Sequence, residues 1–344
     1  MNINLKKWVS SFLILVVIMA QSLMPIIAKA QELNTAGFVD SIKIDKTDLY
    51  YGERTKITVN FSEKDQYRLQ AGDVLTLTLP PELKGFNGKI PLDDYGVCEV
   101  SAGVAQCTFN EKVKSHEHIK GYFTINVQAT NVETDQKKEI HTNLGTNLEM
   151  QSVTITGPSS GGHGNGEEPK GPFSYKVGDI QPDKTDEVRW YLMVNYNKET
   201  LNKDIKLTDS LQDGQTFNKD SFYVNAANDK GQQSLTLKDF ENQGYGIIEF
   251  VNEKTFKATF NKEKASGTRF SISYAADITE DGKKIQHLKN EYGVEYQVVD
   301  NEPVSDSQVA EVENITAEGG AEGDQNAKGT LVTKYVDKDG KELV

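Results

Sequence analysis

The chain has 344 residues, 37% of them hydrophobic and 26% charged, with a formal net charge of −13. That length allows two domains of ordinary size, and the acidity argues against nucleic acid or anionic lipid as partners. No nucleophile elbow, P-loop, dinucleotide fingerprint or zinc motif is present, so the sequence implies neither a turnover enzyme nor a cofactor.

Residues 1–30 have the pattern of a secretory signal. Lys6 and Lys7 precede an apolar run from Phe12 to Met19, and Ala28-Lys29-Ala30 fits a small-x-small cleavage site. A membrane anchor is the competing reading, but Gln21, Ser22 and Pro25 interrupt the run before it reaches spanning length. Removing Lys6, Lys7 and Lys29 takes the formal charge from −13 to −16. No later run is long enough to insert in a membrane.

Residues 31–157 carry alternating strand patterns at Lys56–Phe61, Val74–Leu79 and Phe123–Val127. Many short strands separated by turn signals, with no long helical period, predict an all-β fold of sandwiches. Cys98 and Cys107 flank a turn at Ala102-Gly103. A hairpin centred there sets the two cysteines opposite each other at a non-hydrogen-bonded position, where side chains approach most closely. Export makes a disulfide feasible; two free thiols are the alternative. His116 and His118 share one strand face, but no third ligand at a useful spacing accompanies them, and no metal site is expected.

A Gly- and Pro-rich stretch over residues 158–172 predicts a linker. A second sandwich is expected over 173–303, followed by a polar, acidic segment over 304–328. The pattern at Gly329–Asp337 and the Asp339-Gly340 turn open a further β module over 329–344. The rest of that module, and a wall-sorting signal, are expected beyond Val344.

The second sandwich places polar residues where strand parity calls for apolar ones. Val188, Trp190, Leu192 and Val194 define an inward face, leaving Arg189, Tyr191, Met193 and Asn195 outward. By the same parity Lys176 lies opposite Tyr175, Asp209 shares the face of Ile205 and Leu207, and Asn290 shares the face of Leu288 and Tyr292. A buried lysine, aspartate and asparagine are costly unless they pair or react. A desolvated lysine amine can attack the Asn290 carboxamide while Asp209 shuttles protons, leaving an isopeptide bond. A buried Lys–Asp ion pair beside a hydrogen-bonded asparagine is the alternative.

The motifs Tyr175–Asp179, Val188–Leu192, Ile205–Asp209, Gly214-Gln215 and Phe270–Tyr274 resemble the collagen-binding domain of Gram-positive surface adhesins. In the first sandwich Gly72-Asp73 and Cys107–Val113 resemble the same family. The resemblance implies two immunoglobulin-like sandwiches that clamp a host collagen triple helix, and a monomer anchored to the cell wall. It implies the Lys–Asp–Asn crosslink at Lys176, Asp209 and Asn290. It also implies a C-terminal latch strand added to the first domain, which the similarity of residues 312–320 places at Val312, Asn314 and Ile315.

A binding trench on the outward face of the second sandwich is implied at Tyr175, Arg189, Tyr191, Met193, Tyr223 and Ser273, with Asn195 and Asn197 as further donors. Aromatic faces suit proline rings, and Arg189 suits carbonyls or carboxylates. Met193, Tyr223 and Ser273 stand where the family tends to carry asparagine, and an aromatic is missing around Gln232-Gln233. Capture of a linear peptide such as a fibrinogen tail, or a purely structural stalk, are the rival readings.

Overall fold

The computed structural model describes residues 30–160, 171–316 and 318–326. Residues 1–29 of the expected signal peptide, residues 161–170 of the linker and the expected terminal module lie outside the described residues.

The first sandwich is built from β1 (Val39–Ile44), β2 (Asp48–Tyr50), β3 (Arg54–Ser62), β4 (Val74–Thr78), β5 (Leu83–Gly85), β6 (Gly88–Pro91), β7 (Gly96–Val100), β8 (Val104–Phe109), β9 (His116–Ala129), β10 (Lys137–Thr142) and β11 (Gln151–Thr156). Alternation decides which residues face inward: along β3, Thr55, Ile57, Val59 and Phe61 are buried while their neighbours are not. Phe38, Phe61, Phe109 and Phe123 meet ring to ring in the core. The hairpin of β7 and β8 has the expected register, with Cys98 opposite Cys107 and the two joined as a disulfide.

The second sandwich contains β12 (Ser174–Gln181), β13 (Lys184–Val194), β14 (Ile205–Leu211), β15 (Gln215–Asn228), β16 (Gly231–Leu235), the short helix α1 (Leu237–Asn242), β17 (Gly246–Phe250), β18 (Thr255–Phe260), the single turn α2 (Lys262–Ala265), β19 (Arg269–Ile278), β20 (His287–Tyr296) and β21 (Val304–Glu313). One sheet runs β12-β13-β19-β15-β16 and the facing sheet β17-β18-β14-β20-β21. Trp190 fills the space between them, its indole N–H satisfied by Gln215 Oε1 at 3.0 Å. A Cβ at Gly178 would sit 2.6 Å from the Trp190 ring and 2.8 Å from Val312, so only glycine lets β12 pass there.

Residues 304–313, expected to belong to the latch and spacer segment, are instead part of the second sandwich. They pair along the full length of β20 as an edge strand of the second sandwich, and Val312 is buried opposite Leu288. An edge strand has one paired side and a solvated outer face, so a polar composition is compatible with it. The last strand, β22 (Glu318–Gln325), crosses back to the first sandwich and pairs with β9, giving a sheet ordered β1-β3-β9-β22.

The two sandwiches also interlock. Phe86, which follows β5 in the first, is buried in the core cluster of the second. Asn87 N–H donates to the Pro182 carbonyl at 2.8 Å, and Thr185 Oγ1 donates back to the Asn87 carbonyl at 2.9 Å.

Candidate functional site

Three regions bear on function: a polar cluster inside the second sandwich, the outer face of its β12-β13-β19-β15-β16 sheet, and the β22 crossing.

The cluster draws on both sheets. Lys176 on β12 and Tyr274 on β19 come from one; Asp209 on β14 and Asn290 on β20 come from the other. Within the latter, Asp209 lies opposite Tyr292 and Asn290 opposite Leu211, so the two polar residues are diagonal neighbours. The Lys176 and Asp209 side chains are wholly buried and paired. Lys176 Nζ also donates to the Tyr274 hydroxyl at 2.8 Å and lies 5.5 Å from the Trp190 ring centre. The Tyr274 hydroxyl donates to Asp209 Oδ1 at 2.8 Å, and Asn290 Nδ2 donates to that hydroxyl at 2.7 Å. Asn290 Oδ1 is buried without a hydrogen-bond partner among the described residues.

Burial dominates the electrostatics. Desolvation pulls the Lys176 amine down to about 8 against the attraction of Asp209. It pushes the Asp209 carboxyl up despite Lys176, and raises the Tyr274 phenol well above its ordinary value. All three shifts favour neutral forms: an amine, a carboxylic acid and a phenol. That is the protonation pattern amide exchange needs, with a nucleophilic nitrogen near a carboxamide whose oxygen has no competing donor. Tyr274 has no assigned role in the sequence reading. Its signal is a phenol on the inward parity of β19, shared with Phe270 and Ile272.

On the outer face, register sets the rows. Tyr175, Met193, Ser271 and Asn225 form one; Val177, Tyr191, Ser273 and Tyr223 form the next; Asp179, Arg189 and Ala275 a third. Val177 is 52% exposed and belongs to this surface, although its place opposite Lys176 already marks it as outward. Ser273 is buried on the floor between Tyr191 and Tyr223. Tyr175 meets Tyr196 edge-on at 5.7 Å. Arg189 is held by a bidentate pair with Asp179 at 2.9 and 2.7 Å and lies over the Tyr191 ring, so its fork is already occupied.

Asn195 does not face the trench. Parity fails there because β13 ends at Val194 and Asn195 turns into the left-handed region with φ 50°. Its side chain is fully buried, donating to the Glu199 and Ala265 carbonyls and accepting from Glu199 N–H. Asn197 is likewise engaged, bonding both ways with the Gly171 backbone.

The latch residues are also corrected. Val312 belongs to β21. Asn314 Nδ2 caps the Gly282 and Ile285 carbonyls, and Ile315 packs on the second core. The segment that enters the first sandwich is β22, with Gly319 opposite Phe123, Gly320 opposite Tyr122 and Ala321 opposite Gly121. Ala321 is buried, and its N–H donates to Asp93 Oδ2 at 2.9 Å. At Gly319 the slot admits only backbone: a Cβ there would lie 2.6 Å from Ile90 and 3.1 Å from the Pro91 carbonyl. A Lys120–Glu322 ion pair at 3.1 Å and a His118–Asp324 hydrogen bond at 3.0 Å flank it. The expected pair of histidines separates, His118 going to Asp324 and His116 packing on Tyr95.

Two immunoglobulin-like sandwiches, joined by a strand that leaves the second and completes a sheet of the first, define a two-domain, strand-exchanging architecture. Its family is given by comparison: residues 171–305 match a collagen binding domain and residues 48–139 a bacterial Ig domain. The structure of the Enterococcus faecalis MSCRAMM ACE, described as binding its ligands by the collagen hug model, is 34% identical with TM-score 0.73; the match covers 84% of this chain and 99% of that one. The collagen adhesin structure from Staphylococcus aureus is 25% identical with TM-score 0.72, covering 86% and 99%. The chain belongs to this collagen-binding MSCRAMM adhesin family. It is also 26% identical over 329 residues to the curated S. aureus collagen adhesin, and it spans about a quarter of that protein's length (26%) against 91% of its own.

Proposed function

We propose that this chain is an extracellular adhesin that binds host collagen, holding the triple helix against the Tyr175–Tyr191–Tyr223 face and retaining it by adding β22 to the first sandwich. The observation that carries the reading is the pairing of β22 with β9 across the domain boundary, which is strand addition within one chain. A closed loop of chain around a bound rod raises retention without requiring a deep pocket. The tyrosine face suits the shallow, proline-rich surface of a triple helix. The whole acts as a monomer displayed on a Gram-positive cell wall.

In the same reading the Lys176–Asp209–Asn290 cluster forms an isopeptide between β12 and β20, tying the two sheets of the second sandwich. The reaction occurs once per molecule and serves mechanical resistance.

The test is binding of residues 31–326 to native and heat-denatured collagen on one surface, with Tyr191→Ala alongside. Native-only binding, weakened about tenfold or more by loss of a central aromatic anchor, is the expected outcome. Equal binding to both forms would favour capture of linear peptide, and binding to neither would remove collagen as the ligand.

A further inference from the structure

One side chain touches every other polar group of the buried cluster. The Tyr274 hydroxyl accepts from Lys176 Nζ at 2.8 Å and Asn290 Nδ2 at 2.7 Å, and donates to Asp209 Oδ1 at 2.8 Å. Its ring is fixed by stacking on Phe222, centroids 4.5 Å apart, and by edge contacts with Phe217 and Phe256. Phenylalanine would make the same ring contacts without the penalty of burying a hydroxyl, so packing alone does not account for the oxygen.

We propose that Tyr274 is a catalytic residue of the self-crosslinking reaction, its hydroxyl carrying a proton from the lysine nitrogen to the departing asparagine nitrogen. The proposal rests on the crosslink reading above. Asp209 first takes a proton from the Lys176 ammonium. The lone pair of the neutral amine then forms the bond to Asn290 Cγ while the carbonyl π pair moves to Oδ1. In that adduct Nζ has a proton to lose and Nδ2 must gain one before it can leave. The Tyr274 oxygen is within hydrogen-bond reach of both. It takes the proton from Nζ and gives its own to Nδ2, ending as it began. The Cγ–Nδ2 bond breaks, the Oδ1 pair re-forms the carbonyl, and ammonia departs. No external base, oxidant or reductant takes part.

Asp209 also interacts with the Asn290 side chain, but both of its oxygens already have other partners. One of its oxygens is held by Lys176 and the other by the phenol itself, while Asn290 Nδ2 donates to the phenol. Tyr274 thus offers a hydrogen-bonded route from Nζ to Nδ2 through a single oxygen.

The test compares wild type with Tyr274→Phe, made by cell-free translation, quenched in acid at intervals and followed by intact mass. Near-UV circular dichroism checks the fold. Wild type is expected to lose one ammonia promptly, and the variant, folded, about 100-fold more slowly or not at all, in line with the usual size of proton-transfer catalysis. Equal rates would overturn the role of Tyr274 while leaving the crosslink standing. A wild type that keeps its ammonia would overturn the crosslink and this proposal together. If the variant fails to fold, wild type carrying meta-fluorotyrosine keeps the rings and hydroxyls but has a more acidic phenol: a changed rate supports the relay, and an unchanged one rejects it.

Discussion

The Arg54 guanidinium, from the first sandwich, donates to the Glu313 carbonyl at 2.8 Å, at the last residue of the second sandwich's final strand. Arg54 also lies over the Phe86 ring, 5.6 Å from its centre, and Phe86 is itself buried in the second core. Lys56 adds ion pairs to Glu313 at 3.6 Å and Glu318 at 3.3 Å. These contacts flank the passage from Glu313, at the end of β21, to Glu318, where β22 begins.

Replacing this anchor tests whether closure depends on it. A hydrogen bond from a charged donor contributes roughly 1.5–3 kcal/mol. Arg54→Ala is expected to speed dissociation from collagen by about tenfold or more, with little change in the initial association rate. Unchanged dissociation, followed by surface plasmon resonance, would show that the crossing is held without Arg54.

The slot for β22 should exclude a side chain. Gly319→Ile places a branched residue where a Cβ alone already meets Ile90 at 2.6 Å. The strand should stay undocked, and hydrogen exchange in β9 around Tyr122 and Phe123 should rise because its outer edge loses its partner. Protection equal to wild type would mean the slot widens to accept the side chain.

The pH dependence of an uncrosslinked form follows from Lys176. Asn290→Ala removes the target carboxamide and leaves the amine, whose folded pKa is about 8 against 10.5 when unperturbed. Between those values the unfolded chain binds more protons than the folded one, so stability rises with pH from about 8 to 10.5. The gain is on the order of 3 kcal/mol at most. Crosslinked wild type has no amine to titrate and should lack this slope. Urea unfolding of both proteins across that range is the measurement, and parallel curves would contradict the assignment.

Asn195 should behave as a structural residue. Asn195→Ala removes buried bonds to the Glu199 and Ala265 backbones at a positive φ. We expect destabilisation of about 2–3 kcal/mol with collagen affinity preserved in the protein that remains folded. An affinity loss without a stability loss would return Asn195 to the binding surface.

Strand parity carried much of the site. Lys176, Asp209 and Asn290 could be placed inward because the period of two is strict within a strand, and the Cys98–Cys107 pairing followed from a two-residue turn. Parity failed at Asn195 because the strand had already ended. It also could not say that Tyr274 would be shared by three partners, since that needs β19 placed across from β14 and β20.

The latch shows a different limit. The composition of 304–328 is mostly polar, yet it contains an edge strand and an inserted strand. Glycines such as Gly319 and Gly320 have no alternation of their own, and the residues that make them necessary, Ile90, Pro91 and Asp93, lie more than 200 positions earlier.

By itself, then, the sequence determined the all-β class, the facing register of Cys98 and Cys107 and the inward placement of the polar triad, because each depends on local alternation or a short turn. Only the tertiary structure decided that β21 completes the second sandwich, that β22 crosses to the first, that Arg189 is already paired with Asp179, and that Tyr274 joins the cluster. The β22 crossing and the Tyr274 cluster are contacts between distant segments, while the β20–β21 and Arg189–Asp179 contacts join neighbouring strands and depend on their register.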